Sequence, residues 1–401
     1  MPGPPRHPVH VFYGGAHLFR AAVARKLGDL ALRSLDEHAP TPESFAAAFG
    51  LADPAFAAAL RERVRAKLAS EPVEDFRIDF EDGYGVRAPE EEDGHARAAA
   101  RELAAGLEAG SLPPFTGIRI KPLAGATHER AVRTLEIFLA ELGGRVPPGF
   151  RITLPKVESP AEVEELARRC ADLERRAGLA EGALRIEILT ETPSAYFDAQ
   201  GVFALRRLAQ AAGGRCVAAH FGVYDFTSSL GVTGAAQTLL HPICDLARSL
   251  MLLAFVPIGV AVSDSITNVF PIPRRPGDSE TVHRAWRLHY GHVRHALDQG
   301  FYQGWDLHPA QLPARYAATY AFFHEGIDLA AARLKNFVAQ SAQATRVGEV
   351  FDDAATGLGL LAYFARAIDC GALDQAEAEE RTGLTAARLR SGSFTSVTGE
   401  S

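Results

Sequence analysis

Cysteine is scarce in this chain. Cys170, Cys216, Cys244 and Cys370 stand far apart and form no CxxC pair. That usage excludes a zinc ribbon and a disulfide framework, so the four read as small buried apolar residues. Positive charge is not in excess either. The 42 Lys and Arg are outnumbered by 49 Asp and Glu, and no basic run interleaved with aromatics occurs. A nucleic-acid partner is therefore not expected. Long hydrophobic runs are also missing. The longest, around 249–262, contains Pro257 and is too short to cross a bilayer. MPGPPRHPVHVFYGG lacks a basic-then-apolar leader, so a cytoplasmic protein with no membrane partner is expected. There is no GxSxG elbow near Ser228-Ser229, no HExxH, no internal repeat and no low-complexity block. A serine hydrolase and a zincin-type metal site are thereby set aside.

What the chain does contain is an alternation. Eight β-rich runs recur: HVFYGG (10–15), FRIDFED (76–82), GIRIKP (117–122), RITLPK (151–156), LRIEILTE (184–191), CVAAHFG (216–222), IGVAVS (258–263) and FYQGWDL (301–307). Helical patterns lie between them. Val132, Leu135, Leu139 and Leu142 share one helical face, and Val163, Leu166, Ala167 and Cys170 share another. The second helix opens on Ser159-Pro160-Ala161-Glu162, which predicts a capping box. Val282, Trp286, Val293 and Leu297 mark a further helix. Eight strands alternating with helices predict an α/β fold, a (β/α)8 TIM barrel over 1–312.

Two segments exceed the bare repeat. Residues 16–72 hold about three helical runs and are expected to decorate the barrel. Residues 313–401 are expected to form a C-terminal helical extension, a lid or an arm for subunit contact, with no strand evident from 309 to 390 and a frayed polar tail, SGSFTSVTGES. Gly357 to Ala362 loosely matches a dinucleotide fingerprint, but it lies in a helical pattern with no strand before it. His289, His292 and His295 are read as a polar helix face rather than a metal site.

Barrel enzymes place their chemistry at the C-terminal ends of the strands. Charged residues gather there: Asp79, Glu81 and Asp82 on the second run, Arg119 and Lys121 on the third, then Lys156 and Glu158. Glu191, Asp225, Asp264 and, through Asp306, His308 follow on the later runs. Strand periodicity puts Asp79 with Glu81, and Arg119 with Lys121, on faces opposite Ile78, Phe80, Ile118 and Ile120. Apolar residues should face the helices, so the charged sets should face the barrel axis. Glu187 lies deeper on the face of Glu191, and burial there demands a partner, read as an inward-facing Arg. Glu191, ahead of the helix signal Thr192-Pro193, and Asp225 are two carboxylates at the ends of successive strands. Such a pair can hold a hard divalent cation with open positions.

These segments resemble the HpcH/HpaI aldolase and citrate lyase beta-subunit family of the phosphoenolpyruvate/pyruvate barrel superfamily. RIDFEDGYG (77–85) is similar to its acidic strand-2 motif, GIRIKP to its arginine strand, LPKVES (154–159) to its fourth strand and LTET (189–192) to its IET motif. FGVYDFTSSLG (221–231) resembles the metal-aspartate motif, and GFYQGWDLHPAQL (300–312) the last barrel strand. The resemblance implies that Glu191 and Asp225 bind Mg²⁺ or Mn²⁺, and that Arg119 binds the substrate carboxylate and stabilises enolate charge. It implies that Glu81 and Asp82 hold water on the metal and that Lys156 assists beside it. His17 and His308 are candidates for substrate contact at the mouth.

The chain also departs from the pattern. VFYGGAHLF (11–19) stands where an Arg-Ser motif is common, and Gly304-Trp305-Asp306 where Gly-Lys is frequent. The C-terminal Asp-Gly-x-Met motif is lacking, with Asp352 and Asp353 as candidate substitutes. These departures put a CoA thioester substrate in question. The expectation is a metal-dependent carbon–carbon lyase acting on a 2-oxo acid or hydroxy acid, in a homo-oligomer. Two alternatives stand beside it: phosphoenolpyruvate-type chemistry using Lys121 and Lys156, and a non-catalytic metabolite-binding protein.

Overall fold

Eight parallel strands close into a barrel in the computed structural model, which describes residues 6–339, 345–347, 350–352 and 354–391. The chain runs β1 (His10–Gly15), α1 (Val23–His38), α2 (Pro42–Phe49), α3 (Pro54–Ser70), β2 (Asp75–Asp79), α4 (Pro89–Ala109), β3 (Phe115–Arg119) and α5 (His128–Leu142). It continues through β4 (Arg151–Leu154), α6 (Pro160–Ala177), β5 (Arg185–Thr190), α7 (Pro193–Tyr196), α8 (Leu205–Ala211), β6 (Cys216–Phe221), α9 (Val223–Ser229) and α10 (Pro242–Phe255). Then come β7 (Ala261–Ile266), α11 (Ser279–Asp298), β8 (Gln303–Asp306), α12 (Leu312–Glu325) and α13 (Ile327–Ala339). The ribbon β9 (Thr345–Val347) and β10 (Val350–Asp352) leads to α14 (Ala354–Cys370), α15 (Gln375–Thr382) and α16 (Ala386–Leu389). Each barrel strand pairs with its sequence neighbour, and β1 closes on β8.

All eight expected strands are present, and residues 16–72 supply α1 to α3. Strand β7 starts later than its apolar run suggests. Val256–Ile258 extends α10 as a 3-10 turn, and Gly259 ends it in the left-handed region at φ 76°. The C-terminal segment does contain strands, contrary to expectation: β9 and β10 pair antiparallel, and runs of three residues are too short for periodicity to reveal. The expected division at 312/313 falls at the start of α12, which packs on α11 and α3. Asp353 and the tail from 392 lie outside the described residues, as does the side chain of Asp352. Gly357 to Ala362 lies inside α14. All four cysteines are buried and free. Among the described residues no helix is long and apolar enough to cross a membrane.

Two local readings need correction. Ser159 stands at the N-cap of α6, but its hydroxyl donates to Glu162 Oε1 (3.0 Å) instead of capping the backbone. The histidines of α11 are not a solvent face. Steps of three residues drift back around a 3.6-residue helix, which carries His289 and His292 onto the buried stripe, where both ring Nδ1 atoms bond Thr267 Oγ1.

The strand faces divide as the alternation predicts. Ile78, Phe80, Ile118 and Ile120 join the core beneath the helices. The barrel floor is ionic. Arg77, fully buried, reaches Glu187 at 2.7 Å and also pairs with Asp75, while Arg151 Nη1 reaches Glu187 at 2.9 Å and His220 Nε2 lies 3.1 Å away. The expected Arg partner of Glu187 is thus Arg77. Burial would push the Glu187 carboxyl up, but Arg77, then His220 and Arg151, hold it well below the usual range. Above this floor Val11, Tyr13, Leu189 and Trp305 form an apolar layer that separates it from the mouth.

Candidate functional site

The mouth is built from the residues just beyond β1 to β6. Strand β2 ends in Asp79, whose carboxylate accepts from Glu81 N (2.9 Å) and Gly83 N (2.7 Å). These bonds fold the chain back on itself and carry Glu81 and Asp82 over the opening. Asp79 is also in register with Arg119 across the β2–β3 ladder. It grips Arg119 Nε at 2.7 Å and Nη2 at 2.6 Å, and the guanidinium lies 4.7 Å over the ring of Tyr13. The remaining nitrogen, Nη1, sits 2.9 Å from Glu81 Oε2. A bidentate clamp plus an aromatic floor fixes both position and plane of this cation.

Lys156 follows β4 and is the one non-glycine among the described residues with positive φ, 49°. A left-handed lysine costs free energy and persists where surrounding bonds enforce it. Here its N–H donates to Glu191 Oε1 at 2.8 Å. Its ammonium bonds Glu81, lies 3.3 Å from both oxygens of Asp82 and 3.8 Å from Asp225 Oδ2. Glu191 leaves β5 just before Thr192, whose hydroxyl accepts from Ala195 N and caps α7. Beside it Gly222 has no side chain, and a Cβ there would stand 2.3 Å from Glu191 Oε2. Asp225 lies in the first turn of α9, its side chain 46 % exposed, whereas Glu191 is 2 % exposed.

The electrostatics of this cluster are unbalanced. Burial, then the carboxylates of Glu81 and Asp225, push the Glu191 carboxyl up to about 8. Glu81 is also raised, by burial first, against the pull of Arg119. Burial works against the charge of Lys156, but Glu81 and Glu191 override it and raise its pKa. Four carboxylates thus crowd one ammonium and one guanidinium already claimed by Asp79. Among the described residues no three His, Cys, Asp or Glu side chains stand close enough to hold an ion unaided. Glu191 and Asp225 are nonetheless hard oxygen donors in a site short of positive charge. Mg²⁺ commonly takes one or two carboxylates and completes its shell with water and substrate, so the residues fit such an ion.

The two histidines behave differently. His17, on the 3-10 turn Ala16–Leu18, lies between Tyr84 (ring centroids 5.6 Å) and His95 (6.0 Å), and its buried Nδ1 has no hydrogen-bond partner. Burial, then Arg87 and His95, lower its pKa. His308 is occupied structurally: its Nδ1 accepts from Ala310 N, and its ring stacks on Phe270. Neither makes an ion pair or hydrogen bond to the carboxylate cluster among the described residues.

Some expected members of the mouth lie elsewhere. Lys121 turns away to the Phe80 carbonyl and Glu92 of α4, each at 2.7 Å. Asp264 points out of the barrel to Arg248 (3.0 Å), and Asp306 to Arg315 (3.1 Å), His289 (2.9 Å) and His10 (3.1 Å). They alternate with inward Ser263 and Trp305, so strand parity excludes them from the axis. The role of Asp79 as the clamp on Arg119 was not among the assigned site roles, although the shared position on neighbouring strands carries the signal.

The family model described as Domain of unknown function (DUF6986) matches residues 2–397. The chain belongs to that family. No curated protein matches the sequence. Among solved structures, a citrate lyase from Burkholderia xenovorans LB400 is 22 % identical, covers 80 % of this chain and 92 % of its own, and aligns with a TM-score of 0.60. A Haloferax volcanii malate synthase is 13 % identical over 98 % of this chain and 99 % of its own, with a TM-score of 0.51. These likenesses establish the fold, a closed barrel of eight parallel strands.

Proposed function

We propose that this mouth is the active site of a Mg²⁺- or Mn²⁺-dependent carbon–carbon lyase of aldolase or Claisen type, acting on a 2-oxo acid or related hydroxy acid. The observation that carries the reading is Glu191. A carboxylate buried beside two others and pushed up to about 8 is a donor whose charge a bound cation would balance. Glu191 and Asp225 would hold the ion, which supplies Lewis acidity toward the keto oxygen. The chain's own groups do the rest. Arg119 offers a positive charge needing no reorganisation, because Asp79 and Tyr13 already fix it. A substrate carboxylate would take the place of Glu81 on Arg119 Nη1. Glu81, released and raised by burial and by the charge of Asp82, can then carry a proton at the mouth, with Lys156 holding it in position.

The shared fold with a citrate lyase and a malate synthase supports carbon–carbon chemistry. Phosphoenolpyruvate-type chemistry is less well served, since Lys121 is committed to Glu92 and only Lys156 is left to meet a phosphate. The test is proton exchange at the methyl group of pyruvate in D₂O, followed by NMR with Mg²⁺, with EDTA and with Glu191→Gln. Exchange that needs both the ion and Glu191 supports the reading. Exchange indifferent to both would sink it.

A further inference from the structure

A second cavity lies at the opposite end of the barrel. About 180 Å³ in volume and partly open to solvent, it is lined by His7 and Pro8 ahead of β1, by Val260 and Val262 around the start of β7, by Tyr302 and Gln303 at β8, and by Arg366 of α14. Its polar side chains are an imidazole, a guanidinium, an amide and a phenol, and among the described residues no carboxylate lines it. Arg366 stacks on Tyr302, its guanidinium carbon 3.9 Å from the ring centroid, and that is its contact among the described residues. The neighbouring Asp369 is taken by Arg390 at 2.8 Å. Gln303 is buried, and its Nε2 has no hydrogen-bond partner among the described residues.

We propose that this cavity is a binding site for a small oxyanion, a carboxylate or a phosphate, recognised by Arg366 and Gln303. A guanidinium stacked flat on an aromatic ring presents its N–H groups at its edge, the geometry that grips an oxyanion in two places. Among the described residues Arg366 has no carboxylate in hydrogen-bond contact, only the more distant charge of Asp369, which Arg390 holds. Keeping its charge partly out of water on those terms is costly, as is leaving a buried amide donor unbonded, and one anion would relieve both. Burial holds the pKa of Arg366 below its ordinary value against the pull of Tyr302 and Asp369, and His7 is lowered by burial and then by Arg366. The apolar walls Val256, Val260 and Val262 leave room for a short carbon body.

The experiment is calorimetric and thermal-shift titration of the full chain with inorganic phosphate and, separately, with succinate, at constant ionic strength and in EDTA. Arg366→Gln, Arg366→Lys, Gln303→Leu and Arg119→Gln are titrated in parallel. We expect saturable binding of at least one anion, weakened about tenfold or more in Arg366→Gln and Gln303→Leu, intermediate in Arg366→Lys, and kept in Arg119→Gln. A response to phosphate alone or succinate alone names the source. No saturable response in the wild type overturns the proposal, as does a response that survives Arg366→Gln or disappears in Arg119→Gln. Gln303→Leu keeps the test decisive if Arg366→Gln fails to fold.

Discussion

Replacing Glu191 with Gln should make the metal-free protein more stable, and by an amount that grows with pH. In the native state the Glu191 carboxyl titrates near 8, against an ordinary 4.5, because it is buried and faces Glu81 and Asp225. The native protein therefore holds this proton more tightly than the unfolded chain. Its stability is highest where Glu191 is protonated and falls as pH rises from about 5 to about 8. Each unit of displacement is worth about 1.4 kcal/mol, so the displacement from 4.5 to about 8 puts roughly 5 kcal/mol at stake. Glutamine keeps the acceptor for Lys156 N and sheds the charge. At pH 5 the variant and wild type should differ by no more than about 1 kcal/mol in urea unfolding in EDTA; at pH 8.5 the variant should be more stable by about 4–5 kcal/mol. Added Mg²⁺ should close that gap by stabilising the wild type alone. A pH-independent difference between the two proteins, or a variant less stable at pH 8.5, would refute the reasoning.

Other consequences can be read from the same coordinates. Glu187→Gln strips Arg77 and Arg151 of their shared carboxylate on the barrel floor, and urea unfolding should show a loss of about 3–5 kcal/mol. Gly222→Ala has a backbone open to alanine, φ −111°, but places a Cβ 2.3 Å from Glu191 Oε2 and 2.4 Å from Glu191 Cβ, so Glu191 and the end of β5 must shift. It should abolish Mg²⁺-dependent stabilisation in thermal shift while leaving circular dichroism unchanged. Asp79→Asn weakens the clamp on Arg119, and steady-state kinetics on whichever 2-oxo acid proves to be turned over should show kcat falling about 100-fold or more with a smaller change in KM.

The barrel was legible in the sequence because its strands are short apolar runs bounded by charged ends, and parity alone sorted Ile78 and Ile118 from Arg119 and Asp79. The same parity would have excluded Asp264 and Asp306 from the mouth had it been applied along β7 and β8. Their sequence position at strand ends outweighed it. Lys121 was lost for another reason: it lies beyond the last residue of β3, where alternation no longer governs direction and Glu92 of α4 is the nearest carboxylate. The His289/His292 pair failed on helix geometry, because a spacing of three brings residues toward one stripe but does not say which stripe is buried. The β9–β10 ribbon has too few residues for any period to appear.

Glu187 and Glu191 argue the division of labour within this barrel. They lie four residues apart on one strand face, and both are buried. At the floor Arg77, Arg151 and His220 surround Glu187 and hold it ionised; at the mouth Glu191 meets two further carboxylates and is driven toward its protonated form. The apolar layer of Val11, Tyr13, Leu189 and Trp305 lies between them, so the floor's positive charge cannot be shared across contact distance. A fold selecting only for stability would balance both ends alike, since replacing a strained buried charge with a neutral residue commonly stabilises. Balance at the floor and excess negative charge at the mouth therefore separate a group satisfied within the fold from one that the proposed cation would balance.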